Sequence, residues 1–543
     1  MMVANCRLVV LLARYPLVVA GLLASGCLGT GDIHVITGAS TDTGTTGEST
    51  ATGTTSGTTA EVPPDLGEDL YSQPKFDVAP PAASGSPVLP TTCPEAHQTA
   101  TSLGCIFYPL DLDRSEQADA VPVWVTVINP HTDIELDATI FERVENTWVE
   151  LEGLVTLPPE SSYVYTLPQR HHDGTGWVNG GSFRLATSRP ATVYQFSGID
   201  AYSPEGSGAS LLLPLSAWGS LYHIMGWQTH TANSIPSYLT VLSRTDGTEV
   251  TILPSAETSP GNLIDSGAPN TPLKVLLDDG DFAQIAVAQS EQEVHYGLTG
   301  TIVQSGGEHP VAVYSAHACA SIPDDELNCN HAQEQLTPYL YGTHFIAPRL
   351  PARDLENPES TLWQLYALEN STLVNIAGTY TSSAQSFVMK AGETLEVWST
   401  GDEGSLEIST TREIAITGYL TDHAIEPPQT PLGGPESIML SPTNRWLSRY
   451  GLFTPPGWEA AYATVTRPIG VDVWLDDEVV DSELFTPLNN TYEVANIPLA
   501  DGMAHFIEAD EPILVISLGF GIGSAYASLA GWGTLQPAHE PIP

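Results

Sequence analysis

Alternation of apolar and polar residues is the dominant pattern along this chain. From Val121 the stretch VPVWVTVINPHTDIELDATI places apolar side chains at about every second position on both sides of a polar break, and similar stretches begin at Ser237, Thr361 and Ala461. A period of two predicts β-strands with one buried face, and breaks such as NP, DG or PIG predict that the two strands of each stretch form a hairpin. These stretches therefore open four copies of one unit.

A second kind of stretch closes each copy. It contains a strand, a polar turn that ends in Pro or Glu, and a strongly apolar strand such as PVAVY or PILVIS, and it recurs about every 100 to 120 residues, from Gly181, Gly300, Gly404 and Ala504. Such an apolar run can be buried on both faces, which predicts a central strand in a second hairpin. With the alternating segments in between, each copy holds about six or seven short strands, the content of a small β-sandwich.

The predicted fold is therefore all-β, with four tandem β-sandwich-like repeats of about 100 to 120 residues. We place the repeats at residues 91–230, 231–355, 356–455 and 456–543. In an alternative arrangement, the copies pack around an axis in a propeller-like ring. Glycine-, proline- or serine-rich excursions follow the closing strands, and in a parallel arrangement these loops gather on one surface, where binding tends to be placed.

The first 27 residues have the layout of an export signal. Arg7 and Arg14 precede an apolar stretch that is too short to span a bilayer. The stretch ends in Ala24-Ser-Gly-Cys27, which resembles a bacterial lipoprotein cleavage box. The resemblance implies that Cys27 becomes the lipid-carrying N-terminus, and the alternative is ordinary secretion with Cys27 removed or free.

Residues 28–90 form a polar segment rich in Thr, Gly, Ser and Pro. It contains too few apolar residues to offset the entropy of ordering, which predicts a disordered tether. About 60 residues of such chain have a root-mean-square reach of roughly 40 Å. The sequence thus predicts an exported protein, anchored by its lipid to the cell envelope of a bacterium, on the outer membrane or the cell surface.

The chain is strongly acidic. It has 64 acidic and 17 basic residues, for a net charge of -47 at pH 7. Nucleic acid and anionic lipid headgroups are poor partners for such a surface. We interpret the acidity as a means of solubility, because the acids are scattered and Asp111-Leu-Asp113-Arg-Ser115, with Asp119 beyond, lacks the sixth-position glycine of a calcium loop. No cofactor is predicted, and calcium or zinc is the alternative.

Four cysteines remain once the signal peptide and the lipid site are set aside. An even number in an exported chain argues for two disulfides, and the short separations favour Cys93 with Cys105 and Cys319 with Cys329, while crossed pairing stays open. Closing the loop between Cys319 and Cys329 would stabilise the protein by roughly 3 kcal/mol through chain entropy.

Histidines flank this second cysteine pair in HACASIPDDELNCNH, from His317 to His331. Two thiolates and two imidazoles are zinc ligands, but the short spacing within each pair that is typical of zinc sites is absent, and an oxidising compartment favours the disulfide. With the cysteines bonded, the two histidines are predicted to hydrogen-bond the loop backbone. A ligand or metal site at His317, His331 and Glu334 is the alternative.

A further pair, His171 and His172, lies in QRHHDGTG between predicted strands. Adjacent side chains on a strand point to opposite faces, so a solvated turn is favoured over joint ligation. The sequence contains no G-x-S-x-G, H-E-x-x-H or phosphate-loop motif. It therefore favours a protein without catalytic activity.

Three segments resemble the N-terminal domain of the IgGFc-binding proteins: SLGCIFYPLDLD, GASLLLPLSAWGSLYHIMGW and the stretch at 298–338. The resemblance extends roughly from Cys93 to Pro537. The third segment has the pattern H-x-C…C-[DN]-H…E-Q, at His317, Cys319, Cys329, His331, Glu334 and Gln335. The family includes mammalian mucus glycoproteins and exported bacterial proteins, and the resemblance implies extracellular recognition or adhesion. Immunoglobulin binding itself is not expected to transfer to a bacterial lipoprotein.

These observations predict a membrane-anchored lipoprotein for binding or adhesion, which faces the extracellular space or the periplasm. Its loops between repeats would recognise an extracellular protein or glycan of unknown identity. One alternative is an exported hydrolase of glycans or peptides with a site among His171, His172, His317 and His331. The other is a structural component of the cell envelope.

Overall fold

The computed structural model describes the backbone of one strand, at residues 34–38, and most of the chain from residue 89 to residue 533. The described ranges in that part are 89–116, 118–198, 206–230, 235–289, 295–323, 329–354, 358–378, 385–399, 404–422 and 431–533. The predicted signal peptide and most of the predicted tether lie outside them. In the described part, no helix has the length and apolar character needed to cross a membrane.

Seven strand positions recur four times along the chain. Unit 1 contains β2 (Gly104–Phe107), β3 (Val123–Asn129), β4 (Leu136–Val144), β5 (Thr147–Leu157), β6 (Ser161–Leu167), β8 (Phe183–Ser197) and β9 (Gly208–Leu212). Unit 2 contains β10 (Leu221–His223), β12 (Ser237–Ser243), β13 (Thr248–Leu253), β14 (Leu273–Leu277), β15 (Phe282–Ala286), β17 (Ile302–Ser305) with β18 (Val311–Ala320), and β19 (Asn330–Leu336).

The same order continues in the second half. Unit 3 contains β20 (Gly342–Ala347), β21 (Thr361–Ala367), β22 (Thr372–Gly378), β23 (Gln385–Met389), β24 (Thr394–Ser399), β25 (Leu406–Leu420) and β26 (Glu436–Met439). Unit 4 contains β27 (Leu447–Thr454), β28 (Ala460–Pro468), β29 (Val473–Leu475), β30 (Glu478–Val479), β32 (Tyr492–Pro498), β33 (Met503–Gly521) and β34 (Ser524–Leu529).

The remaining elements are short. They are α1 (Cys93–Gln98), the strands β1 (His34–Gly38), β7 (Gly176–Val178), β11 (Thr229–His230), β16 (His295–Tyr296) and β31 (Thr486–Pro487), and four 3-10 turns (Leu215–Ala217, Pro338–Leu340, Thr443–Arg445 and Ser482–Leu484). Three of these strands each pair with the free edge of the fifth strand of a unit. β7 pairs with β15 in unit 2, β1 with β24 in unit 3 and β31 with β32 in unit 4.

Each unit folds into the same two antiparallel sheets. The outer sheet contains the first, third and fourth strands and the N-terminal half of the sixth strand, and the inner sheet contains the second, fifth and seventh strands and its C-terminal half. This arrangement confirms the predicted all-β fold with four sandwich-like repeats. We propose that the units span residues 104–212, 221–336, 342–439 and 447–529, each beginning at its first strand.

The sixth strand bends as it passes from the outer to the inner sheet. In unit 1 the pairing with β2 shifts at the bend, because Gly104 pairs with Ala191 whereas Ile106 pairs with Ala186. The strand is continuous in units 1, 3 and 4, and residues 306–310 interrupt it in unit 2. The predicted closing hairpins are therefore wrong, since the two halves lie in different sheets. The prediction of a buried, central apolar half is confirmed.

The predicted opening hairpins are wrong for the same physical reason. In unit 1, β3 pairs with β6 and the inner half of β8, whereas β4 pairs with β5 and the outer half. The polar break between β3 and β4 thus crosses from one sheet to the other. A period of two indicates that a strand has one buried face, but the two sheets of a sandwich satisfy that pattern equally well.

The four units close into a ring around the seventh strands. β9 contacts β19 and β34, and β26 contacts the same two strands, so the four make a closed cycle at the centre. The ring that the sequence allowed as an alternative is therefore the way in which the four sandwiches pack. Because every unit has neighbours on both sides, inter-unit surfaces add to the buried core.

The ring closes where the last described residues meet the first unit. The N–H of Ser102 donates to the carbonyl of Trp532 at 2.9 Å, and the N–H of Trp532 donates to Ser102 Oγ at 2.9 Å. Tyr194 donates through its hydroxyl to the carbonyl of Ala530 at 2.9 Å. The Trp532 side chain is completely buried at this seam between units 4 and 1.

Candidate functional site

Strand β19 lies at the centre of the ring and carries the sequence NHAQEQL. Its first residue, Asn330, contacts the other three units: Oδ1 accepts the N–H groups of Gly206 and Ser207 at 3.1 Å, and Nδ2 donates to the carbonyls of Pro435 at 3.0 Å and Ala525 at 3.1 Å. Backbone groups without water must find such partners. One amide side chain therefore links all four units.

A buried carboxyl group completes this centre. Glu436 Oε2 accepts the N–H of Ala209 in unit 1 at 3.0 Å, and Oε1 accepts the N–H groups of Gln333 in unit 2 at 3.3 Å and of Ser437 at 2.8 Å. Burial raises the pKa of Glu436 well above its ordinary value, and the three N–H groups act in the opposite direction. Glu436 thus joins units 1, 2 and 3.

Glutamines of β19 extend the same network towards unit 1. Gln335 Oε1 accepts the N–H of Leu213 at 2.8 Å, and the Gln335 N–H donates to Ser210 Oγ at 2.9 Å. Gln195 Nε2 donates to Gln333 Oε1 at 3.1 Å. Gln335, the last residue of the H-x-C…C-[DN]-H…E-Q pattern, therefore has a structural role at the inter-unit contacts, which the sequence pattern alone did not reveal.

The three residues predicted as an alternative ligand site lie in the interior, with exposed fractions of 2% for His317, 0% for His331 and 5% for Glu334. His317 Nδ1 accepts the N–H of Cys319 at 3.2 Å, which is a hydrogen bond to the loop backbone, and Nε2 lies 3.2 Å from Thr229 Oγ1. Burial lowers the pKa of each histidine to about 3 and raises that of Glu334. A ligand or metal role for the three stays a prediction.

Both predicted disulfides are formed. The Cα atoms are 5.7 Å apart in Cys93–Cys105 and 5.0 Å apart in Cys319–Cys329. The thiolates required by the alternative zinc site are therefore engaged in a covalent bond. Cys27, predicted to carry the lipid, lies outside the described residues.

The connections between sixth and seventh strands begin and end on one face of the ring. Their described ends bind one another: the N–H of Gly433 donates to the carbonyl of Gly521 at 2.8 Å, that of Gly523 to Pro431 at 2.7 Å, and Asn330 binds Gly206 at 3.1 Å. We name the surface at these ends the loop face; it is marked by Gly206, Asn330, Pro431, Gly433, Gly521 and Gly523. Segments 199–205, 324–328 and 423–430 of these connections lie outside the described residues.

Two segments that are distant in the sequence meet at the junction of units 1 and 2, beside the loop face. Asp111 Oδ2 accepts the N–H groups of Arg170 at 2.7 Å and His171 at 3.0 Å, and Asp113 Oδ2 accepts that of Gly174 at 2.9 Å. Burial, the main cause, raises the pKa of Asp113 to about 7. These hydrogen bonds fix residues 170–174 against the acidic segment.

The fixed loop places His171 between two carboxylates. His171 Nε2 lies 3.8 Å from Asp119 Oδ2 and 3.7 Å from Asp173 Oδ1. The neighbouring His172 turns elsewhere, with Nε2 3.3 Å from the carbonyl of Thr175. Sequence reasoning identified the acidic segment and the histidine pair separately, and only the fold shows that they are adjacent.

The comparisons with known proteins cover units 2 to 4 and the last strand of unit 1. A family model described as IgGFc binding protein matches residues 208–519, from the start of β9 to near the end of β33, which is more than half of the chain. None of the curated proteins matches this chain. This family is one of binding proteins and not a known enzyme class, and with the two disulfides it indicates an extracellular protein. The chain therefore belongs to the IgGFc-binding protein family.

Proposed function

We propose that this protein is a lipid-anchored binding protein that recognises an extracellular protein or glycan through the loop face of the ring, without catalysis. The observation that carries the proposal is the convergence of the sixth-to-seventh connections on one face, where the Cys319–Cys329 disulfide joins the two ends of one of them. A rigid scaffold that presents several connections on one surface is a frequent basis of recognition. The closed ring supplies such a scaffold.

The anchor is tested by substituting the lipid site. In Cys27→Ala the N-terminus has no thiol to carry a lipid, so we expect the protein to move from the membrane fraction to the soluble fraction, and fatty-acid labelling to be lost. Cys6→Ala, in the predicted signal peptide, is the matched control and should stay membrane-bound. Membrane retention of the Cys27→Ala protein would contradict the anchor.

Recognition is tested with the soluble Cys27→Ala protein on protein and glycan arrays. A ligand found there is then tested against Ile522→Arg, because Ile522 is 51% exposed at the loop face beside the Leu432 bridge. An arginine at a desolvated contact is expected to weaken binding at least tenfold. Val388→Arg, on the outer strand β23, is the control and should bind as the parent does. Absence of any ligand would instead favour a structural role in the envelope.

A further inference from the structure

The loop at residues 170–174, beside Asp119, is fixed by hydrogen bonds from its backbone N–H groups. These bonds do not use the side chain of His171. Asp111 and Asp113 accept backbone N–H groups of residues 170–174, and Gln284 Nε2 of unit 2 donates to Asp113 at 3.2 Å. The two carboxyl groups therefore serve to position the loop. They hold His171 over Asp119 before any ligand arrives, which reduces the cost of binding one.

The distances within this group suit ligands of one ion better than a hydrogen bond. His171 Nε2 is 3.8 Å from Asp119 Oδ2 and 3.7 Å from Asp173 Oδ1, both beyond hydrogen-bond range. Oxygen and nitrogen ligands of one tetrahedral zinc ion lie roughly 3.3 to 3.6 Å apart. His171 Nε2 needs to approach each of the two carboxylate oxygens by only a few tenths of an ångström, and the ligand atoms of all three side chains lie within 4.8 Å of one another.

A second observation is independent of these distances. The Asp119 side chain is nine-tenths buried, at 10% exposed; Oδ1 accepts the N–H of Arg114, whereas Oδ2 receives no hydrogen bond from the described residues and faces His171. His171 Nδ1 is buried without a hydrogen-bond partner among the described residues, whereas buried polar groups normally have one. The imidazole is therefore held beside Asp119 Oδ2 with its own hydrogen-bonding capacity unused at Nδ1.

The surroundings resemble the support of a metal-binding histidine. If His171 Nε2 is the ligand, its Nδ1 side faces Asp111 Oδ2 at 3.5 Å, where metal-bound histidines commonly have a carboxylate. Arg114 contacts Asp111 Oδ1 at 3.4 Å and Asp119 Oδ1 at 3.9 Å, which are the carboxylate oxygens turned away from His171. One guanidinium does not balance four neighbouring carboxylates, so a divalent cation improves the local charge balance.

We propose that Asp119, His171 and Asp173 bind one zinc ion at the junction of units 1 and 2. An imidazole with two carboxylates favours zinc over calcium or magnesium, which take oxygen ligands. Asp173 is 84% exposed, so water completes the coordination on its side. The ion would hold the loop at 170–174 against unit 1. This loop leads into β7, which pairs with β15 of unit 2. This inference is independent of the proposed recognition at the loop face.

The test measures zinc bound by the untagged full-length protein. After chelator treatment and dialysis, equilibrium dialysis against zinc with elemental analysis should give one ion per chain, and the ion should raise the melting temperature. Asp119→Asn, His171→Ala and Asp173→Asn should each weaken binding at least tenfold. His172→Ala is the matched control and should bind as the parent does, because His172 faces Thr175 instead.

Folding defects do not confuse the result, because the exposed Asp173 can be changed without disturbing the core. Parental affinity in Asp173→Asn would overturn the proposal, as would the absence of stoichiometric zinc in the parent protein. Binding of calcium in place of zinc at the same three residues would overturn the assignment of the ion. Loss in all three variants with retained secondary structure, and none in His172→Ala, would support it.

Discussion

Asn330 shows how much of the assembly can depend on one side chain. Its amide binds backbone groups of all three other units. Ala at this position would remove that partner from two N–H groups and two carbonyls, of which the Ala525 carbonyl still accepts from Ser207 Oγ at 3.0 Å. Each buried group left without a partner costs about 1 to 3 kcal/mol. We therefore expect Asn330→Ala to lower the free energy of unfolding by about 3 to 5 kcal/mol in chemical denaturation.

The control for this substitution is Asn262→Ala. Asn262 is exposed and donates one hydrogen bond, to the carbonyl of Trp177 at 3.0 Å. We expect its loss to cost less than about 1 kcal/mol. If both variants lost stability equally, the centre of the ring would not depend on Asn330.

His223 gives the stability of the junction between units 2 and 3 a pH dependence. It lies between Tyr341 and Tyr366, and burial lowers its pKa to about 4. The unfolded chain therefore binds a proton that the folded protein does not between pH 6.5 and about 4, and stability falls as the pH falls through this window, by at most about 1.4 kcal/mol per unit.

The variant His223→Phe isolates this contribution. Phe keeps a flat ring between the two tyrosines but does not titrate, so the stability difference between the two proteins should change across pH 4 to 6.5 and be constant above about pH 7. Urea unfolding at a series of pH values measures it. A difference that does not vary with pH would refute the assignment.

At this scale the sequence identified residue types better than their roles. It offered a ligand or metal site at His317, His331 and Glu334 as the alternative to backbone hydrogen bonds, and the structure buries all three in the interior. It discounted His171 as part of a solvated turn, whereas the fold brings this side chain next to Asp119, about 50 positions away in the sequence. Contacts of this kind depend on how strands cross between sheets, which no local pattern encodes.

The bent sixth strand is the element that defines each unit, because it belongs to both sheets. Pro190, Pro310 and Pro512 stand directly before its inner half in three units, and Glu413 takes this place in unit 3. The bend leaves the backbone N–H at this position outside the strand ladders. Proline fits there, because it has no N–H and fixes φ.

We therefore expect Glu413→Pro to leave stability unchanged or to raise it by up to about 1 kcal/mol, through reduced freedom of the unfolded chain. Ala415→Pro is the contrasting variant, since Ala415 pairs with Tyr366 in the inner sheet. Proline in a strand that is paired on both sides removes a ladder hydrogen bond and should cost about 3 kcal/mol or more. Thermal unfolding of both variants distinguishes the two positions, and equal losses would contradict the bend.

The strands could be predicted because each has its own apolar face, and the copies could be recognised because the pattern recurs. Their pairing could not. The stretch from Val121 alternates as a hairpin would, yet β3 and β4 lie in opposite sheets. Pairing depends on tertiary closure, which outweighs a turn signal as weak as the NP break.

The whole molecule depends on the seam between units 4 and 1. Trp532 is completely buried there, and its backbone binds Ser102 and Thr101. Trp532→Ala is expected to cost about 3 to 5 kcal/mol through lost packing. Truncation after Leu529, which also removes Trp532, should have at least this effect. Denaturant unfolding of the three proteins tests this, and a Trp532→Ala protein as stable as the parent would show that the seam does not hold the ring.

The seam also means that the chain could begin at a different unit without changing the order of the units around the ring. Since residues 101–103 touch residues 530–533, joining these ends by a short linker and opening the chain before Gly342 would preserve every strand pair of the four units. Such a circular permutant would begin with unit 3 and end with unit 2, and its four sandwiches would occupy the same places as before. Its new chain ends would lie between β19 and β20, so the ring offers a second position at which another domain could be attached.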